Sequence, residues 1–378
     1  MNILVIPTTD WIRHPVPNRL NFIFDILAER HAVHVLHFPL GRFRNNNPRD
    51  TSCTLIESGR KFIDDPSLFY LLSSPCHLLD IRRIVKEKDI DVILSANILP
   101  SFFANFSRTP VVFDYLDHLG ESASVYYPDS LTGGIIQKFT VIVTRFNVRR
   151  AQEVITVSSE FERYLELLGV NRVTVIPNGV DTTILTPGSR DEAKARLNLE
   201  GKTVIGYIGS LEYWVDLETV IETLPELDVT LLIVGPGLFT DYGERLQQLA
   251  ASLGVSDQVI FTGAVPFDEL SLYISAMDIG LNPLKHMEKN ELTIGGKVFN
   301  YLSCSVPVLS SRMRALENFF DDGIWFYDDQ DSFISQVKSI LSHPVDGAAF
   351  RSIARQYDWK VLADRYEEVL ARAAQTGR

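Results

Sequence analysis

Cysteine is scarce in this chain: three in 378 residues, Cys53, Cys76 and Cys304. An odd, scattered set makes no disulfide framework and has no zinc-ligand spacing, which points to a reducing compartment. Positive charge is also short, with 36 Lys and Arg against 48 Asp and Glu and a net charge of −12. No basic excess is available to displace counterions, so nucleic acid is excluded as the main partner. Long apolar runs are missing as well. Residues 1–7 are apolar but too short for a signal peptide, and they lack a basic flank. Residues 135–143 are interrupted by Gln137 and Lys138 and are too few to span a bilayer. Short repeats and low-complexity tracts are absent. These absences lead to the expectation of a cytoplasmic globular protein.

What is present is ordinary globular composition, 46% hydrophobic and 22% charged. The length is about two to three times that of a typical domain. Continuous apolar runs at 2–6, 32–38, 91–95, 111–115, 153–157 and 173–176 suit strands buried on both faces. Helical patterns lie between them at 19–30, 78–88, 135–150 and 159–168. Residues 177–198 carry Asn178-Gly179 and Pro187-Gly188 and read as a connection. The alternation then restarts, with strands expected at 204–208, 230–234, 259–262, 279–282 and 306–309, and helices at 216–224, 243–253, 268–276 and 297–302. A last helix over 359–373 has Val361, Leu362, Tyr366 and Leu370 as its apolar stripe. Strands alternating with helices imply an α/β fold of two doubly wound, Rossmann-like sheets.

In such sheets ligands bind beyond the carboxyl ends of the strands, so function is sought there. In the second half those ends carry Gly209-Ser210, Gly235-Pro236-Gly237 and Gly263-Ala264-Val265-Pro266. One glycine turn is commonplace, but three at equivalent positions are not. The most informative stretch is EKNELTIGGKVFNYLSCSVPVLSS, residues 288–311. There Gly295-Gly296 precede a helix starting near Lys297. Free amides, the helix dipole and one cation make an anion site, and a diphosphate is the obvious occupant.

The segments VITVSSEFERYL, VTVIPNGVDTTIL, VIGYIGSLEYWVDLETV, LLIVGPG, VIFTGAVPFDEL, DIGLNPL and KVFNYLSCSVPVLSS follow in order. This series resembles retaining glycosyltransferases of the GT-B fold, family 4. The nearer likeness is to teichuronic-acid-type and other surface-polysaccharide enzymes. The resemblance implies an acceptor domain over 1–183 and a nucleotide-sugar domain over 184–357. Residues 358–378 would then form a helix crossing back to the first domain, with reaction in the cleft. It implies a nucleotide-sugar donor, UDP-linked rather than GDP-linked, and a glycan or lipid-linked acceptor. It also implies retention of anomeric configuration, and no metal or cofactor. The donor side would comprise Gly209, Ser210, Gly237, Ala264, Val265, Glu291, Gly295, Gly296, Lys297 and Asn300.

Three positions depart from the family. Tyr213, Trp214 and Val215 stand where a basic residue is usual. Of two family glutamates, the second falls on Asn300 and the first on Leu292, beside Glu291. A family histidine aligns with Asp117, to within one residue, so Asp117 and then His118 are the catalytic candidates. The bland reading of Asp117 is a helix N-cap. Arg13, Asn18 and Arg19 follow the first strand, where they would meet an acceptor or a phosphate, unless they only start a solvated helix. Residues 133–150 combine Ile135, Ile136, Phe139, Val143 and Phe146 with Lys138, Arg145, Arg149 and Arg150. That is either an interfacial helix, giving peripheral contact with the inner face of a membrane, or a core helix with a basic end. Amphipathic helices are usually packed, which favours the core reading. Two rivals to the transferase remain: a GT-B nucleotide-sugar epimerase, and a catalytically weakened subunit that binds a sugar nucleotide or a partner enzyme.

Overall fold

The apolar runs become parallel strands because they can be buried on both faces only between two layers of helices. The structure is a computed structural model that describes residues 1–59, 65–116, 131–237, 240–320, 323–343 and 345–376. It divides into two units, Met1–Pro177 with Trp359–Arg378, and Asn178–Asp358.

The first unit holds β1 (Asn2–Ile6), β2 (Ala32–His37), β3 (Thr54–Glu57), β4 (Val92–Ser95), β5 (Val111–Asp114), β6 (Glu153–Thr156) and β7 (Val173–Val175). Their order is β3-β2-β1-β4-β5-β6-β7, with parallel neighbours throughout. Side chains alternate between two cores. Ile3 and Val5 face the helices Arg19–Leu27 and Trp359–Thr376, while Leu4 and Ile6 face the opposite layer. The final helix therefore packs within the first unit. Trp359 stacks on Phe22 at 5.4 Å between centroids, and Tyr366 donates to Asp114 Oδ2 at 2.8 Å. Its stripe is Leu362, Tyr366 and Leu370 as expected, but Val361 is 45% exposed and Ala363 is buried in its place.

The second unit holds β8 (Val204–Ile208), β9 (Thr230–Val234), β10 (Val259–Gly263), β11 (Ile279–Asn282), β12 (Val308–Ser311) and β13 (Ile324–Tyr327). Their order is β10-β9-β8-β11-β12-β13, again parallel. The segment after Pro177 belongs here. Asn178 Nδ2 donates to the Ile294 carbonyl at 2.8 Å, and Val180 bridges to Asp358. In both sheets the order reverses beside the first strand, between β1 and β4 and between β8 and β11. Such reversals open a crevice at the strand ends. The sequence reading missed β3 and β13, which are short edge strands with mostly half-exposed residues and so show no buried run. The helix Leu131–Arg150 differs from expectation in another way. Val143 is buried as expected, with Val148, but Thr140, Thr144 and Asn147 share that face, while Ile135, Phe139 and Ile142 are exposed.

Candidate functional site

The glycine turns at the strand ends of the second unit come together. Gly209 follows β8 with φ +135°, and its amide donates to the Val234 carbonyl at 2.9 Å. Gly235 follows β9 with φ +136°, and its amide donates to the Gly263 carbonyl at 2.9 Å. A Cβ on Gly235 would land on the Gly209 carbonyl oxygen, so that close approach is open only to glycine. The next turn continues the stack. The Leu211 amide donates to the Pro236 carbonyl at 3.0 Å, which brings Gly237 alongside. Ala264 is exposed just past β10, and Val265 packs down on the core.

The fourth component comes from the other side of the reversal. The helix Gly296–Ser303 starts from Gly295, which offers no side chain to cap it. A side chain at Gly295 or Gly296 would project into open space. The leading amides of this helix thus face outward uncapped. Tyr301 fastens the helix to the sheet: its hydroxyl accepts from the Ile208 amide at 2.9 Å and reaches the Leu281 carbonyl at 3.1 Å. Lys297, half-buried, lies alongside Gly209. Its Nζ donates to Tyr207 Oη at 3.1 Å and sits 4.2 Å from that ring's centroid. Tyr207 in turn donates to the Ser210 carbonyl at 2.8 Å, so one phenol orients both the lysine and the turn after β8.

Lys297 has no carboxylate partner among the described residues. Burial pushes its ammonium down to about 7, which makes charge at this spot costly until an anion arrives. A cation, uncapped helix amides and an open glycine turn therefore converge between β8 and β11. This arrangement can bind and neutralise an anionic group.

The remaining second-unit candidates fall into two groups. Asn300, one turn along from Lys297, makes no side-chain hydrogen bond among the described residues. Glu291 is already engaged. One oxygen is 2.9 Å from His286 Nδ1, and the other accepts from the Arg314 amide at 3.0 Å and Nε at 3.3 Å. Burial works against its ionisation, but these donors hold the carboxyl below its ordinary value. Glu291 thus ties together the loops after β11 and β12. A cation does reach the 213–215 segment, from a distance in sequence: Lys289 Nζ lies 3.9 Å over the Trp214 ring. The sequence reading missed both Lys289 and Tyr207, the latter because it sits inside an apolar strand.

In the first unit, Asn18 caps the helix Arg19–Leu27, and Asn18 and Asn21 form a reciprocal capping box. Arg19 turns inward. It donates to the Ile176 carbonyl at 3.0 Å, lies 3.8 Å from Asp114 and stands over the Tyr366 ring at 5.1 Å. With 4% exposure it has no face left for a ligand. Arg13 remains half-buried, with no side-chain partner among the described residues. Its loop is fixed by Asp10, which accepts from the Ile12 and Arg13 amides and pairs with His37 Nε2 at 3.0 Å. Burial alone would raise the Asp10 carboxyl, but those contacts hold it below its ordinary value. Asp117 and His118 lie outside the described residues.

Comparison with known proteins agrees with this geometry. Residues 25–184 match the family described as Glycosyltransferase Family 4, and residues 202–343 the family described as Glycosyl transferases group 1. A 2-deoxystreptamine glucosyltransferase of Streptomyces kanamyceticus is 29% identical over 205 residues, 51% of this chain and 51% of that protein. The chain spans about half the length of the curated relatives it matches. Among solved structures, sucrose-phosphate synthase of Thermosynechococcus elongatus superposes with a TM-score of 0.79 at 17% identity, covering 100% of both chains. HepE of Anabaena, solved with UDP, has a TM-score of 0.72 at 18% identity, covering 98% of this chain and 100% of that one. In sequence as in fold, the chain is built from a glycosyltransferase family 4 domain followed by a group 1 glycosyl transferase domain, on the two-sheet GT-B architecture.

Proposed function

We propose that this chain is a retaining, metal-independent glycosyltransferase. It moves a sugar from a UDP-sugar onto a glycan or lipid-linked acceptor, in the synthesis of a surface polysaccharide or another glycoconjugate. The observation that carries this reading is Lys297, an unpaired and partly desolvated cation, set beside the uncapped start of Gly296–Ser303 and the turn Gly209-Ser210. The leaving diphosphate rests there. Amide dipoles and the ammonium neutralise its charge, the role that a metal fills elsewhere. Asn300 faces the donor from the next helical turn. UDP in the HepE structure supports the choice of nucleotide. The first domain receives the acceptor, with Arg13 on the loop held by Asp10. Asp117, followed by His118, is the carboxylate assigned to the reacting sugar.

Titration of the purified chain with UDP tests the site. Lys297→Ala should weaken binding by roughly 1–3 kcal/mol, about five- to 150-fold, the scale of a charge-assisted hydrogen bond. Equal affinity in the variant would refute the placement. Release of UDP from UDP-sugars by the native chain separates a transferase from a sugar-nucleotide-binding partner, which would bind without turnover.

A further inference from the structure

The helix Leu131–Arg150 buries a mixed face and leaves an apolar stripe outside. Its buried side carries Thr140, Thr144 and Asn147 together with Val143 and Val148. The Asn147 amide is satisfied there: Nδ2 donates to the Ile98 carbonyl at 2.8 Å, and Oδ1 accepts from Asn105 at 3.2 Å. Its outer side carries Ile135, Phe139 and Ile142, spaced by four and three residues and exposed by 67%, 49% and 67%. Phe146 continues that stripe. It stacks on Phe106, itself 59% exposed, and against Phe102 at 4.9 Å between centroids. The helix Ile98–Ala104 touches this helix on one side and the helices Pro66–Leu72 and Ser74–Glu87 on the other. Those two add Leu68, Leu71, Leu72 and Leu79 to the exposed set. Eight of the fourteen large apolar side chains exposed among the described residues thus fall between Leu68 and Ile142. Concentrated exposure of this kind marks an interaction surface.

Charge names the occupant. The chain is acidic overall at −12, yet residues 131–150 contain no Asp or Glu. Lys138, Arg145 and Arg150 stand exposed on this helix without a carboxylate partner among the described residues. No helix among the described residues is long and apolar enough to cross a membrane. An apolar stripe flanked by cations of one sign fits a helix lying in the plane of an anionic bilayer surface.

We infer that this face seats the chain on membranes bearing anionic lipid. Ile135, Phe139, Ile142 and Phe106 enter the headgroup boundary, and Lys138, Arg145 and Arg150 meet lipid phosphates. The inference is independent of the reaction proposed above, because it uses none of the residues assigned to the donor or the acceptor.

Flotation of the full chain tests it, with vesicles of phosphatidylcholine alone and of phosphatidylcholine mixed with phosphatidylglycerol. The chain should float with the mixed vesicles only, and added salt should release it. Ile135→Gln, Phe139→Gln and Ile142→Gln combined should lower partitioning by more than about tenfold, since three apolar side chains no longer leave water. Lys138→Gln should lower it about fivefold, the equivalent of about 1 kcal/mol for one cation at an anionic surface. All four positions are solvent-facing, so the thermal midpoint should not move. No flotation with the mixed vesicles would overturn the inference, as would a triple variant that floats like the parent. Sedimentation showing a dimer that the triple variant splits would also overturn it, by assigning the face to a second copy of the chain.

Discussion

A donor diphosphate placed at Lys297, as proposed, would couple binding to pH, and the size of that coupling follows from the lysine's surroundings. With its ammonium pushed down to about 7, roughly half of the free protein carries a neutral Lys297 at pH 7, and about nine in ten molecules do at pH 8. The neighbouring Tyr207 phenol does not titrate in this range, because burial, and secondarily Glu212, raise it well above its ordinary value. A bound diphosphate keeps the lysine charged, so binding must take up a proton wherever the free lysine lacks one. UDP affinity should then fall by about fivefold between pH 7 and 8 and by about ninefold between pH 8 and 9, approaching the limit of about 1.4 kcal/mol per pH unit. The window lies above the second ionisation of a phosphate, near 6, so the diphosphate adds no step of its own. Calorimetry in two buffers of different ionisation enthalpy should find uptake of about half a proton at pH 7 and about 0.9 at pH 8. Lys297→Arg keeps its charge and should bind UDP with a flat profile. The free protein should respond in the opposite sense. Between about 7 and the ordinary 10.5 the unfolded chain holds a proton that the native Lys297 lacks, so this residue makes the unliganded fold more stable as pH rises. A flat affinity profile for the native chain, with no proton uptake, would refute the placement of the diphosphate at Lys297.

Four further outcomes are expected. Tyr207→Phe removes the hydroxyl between Lys297 and Ser210, and UDP affinity should drop by about 1 kcal/mol with little change in melting temperature. Gly280→Ala sets a Cβ 2.5 Å from the Tyr301 ring, and overpacking there should cost about 1–3 kcal/mol, read as a lowered denaturant midpoint. Arg19→Ala strands Asp114, a carboxyl already raised by burial despite Arg19 and Tyr366. It should cost about 3–5 kcal/mol in stability, and an unchanged melting curve would contradict the inward placement. Asp117→Asn should lower turnover by about 10²–10⁴-fold while UDP affinity holds; near-normal turnover would reduce Asp117 to a cap and pass the role to His118.

The glycine turns and the helix start proposed for the donor were legible in the sequence because their logic is local. Glycines directly after apolar runs, and Gly295-Gly296-Lys297 before a helical pattern, announce themselves without knowledge of the sheet. What the sequence could not supply was the reversal of strand order between β8 and β11, which brings Lys297 beside Gly209. Tyr207 was hidden for a related reason. Inside a five-residue strand it reads as core, and only the fold shows its hydroxyl linking Lys297 to Ser210.

The misread residues share one cause: sequence gives the spacing of side chains but not the direction in which an element faces. Arg19 opens a helix where a phosphate-binding arginine could stand. The first sheet instead offers a carbonyl at Ile176, a carboxylate at Asp114 and a ring at Tyr366, and the guanidinium turns toward them. The helix Leu131–Arg150 shows the same ambiguity at larger scale. Its sequence holds two stripes, one mixed through Thr140, Val143, Thr144, Asn147 and Val148, and one apolar through Ile135, Phe139, Ile142 and Phe146. The rule that the apolar stripe faces the core selects the second. That rule assumes water on the far side and no partner for polar groups inside. Here Asn105 and the Ile98 carbonyl satisfy Asn147, which removes the penalty for burying that amide, and Val143 and Val148 add apolar contact on the same face. The apolar stripe is then left for whatever lies outside, and its cations select an anionic surface.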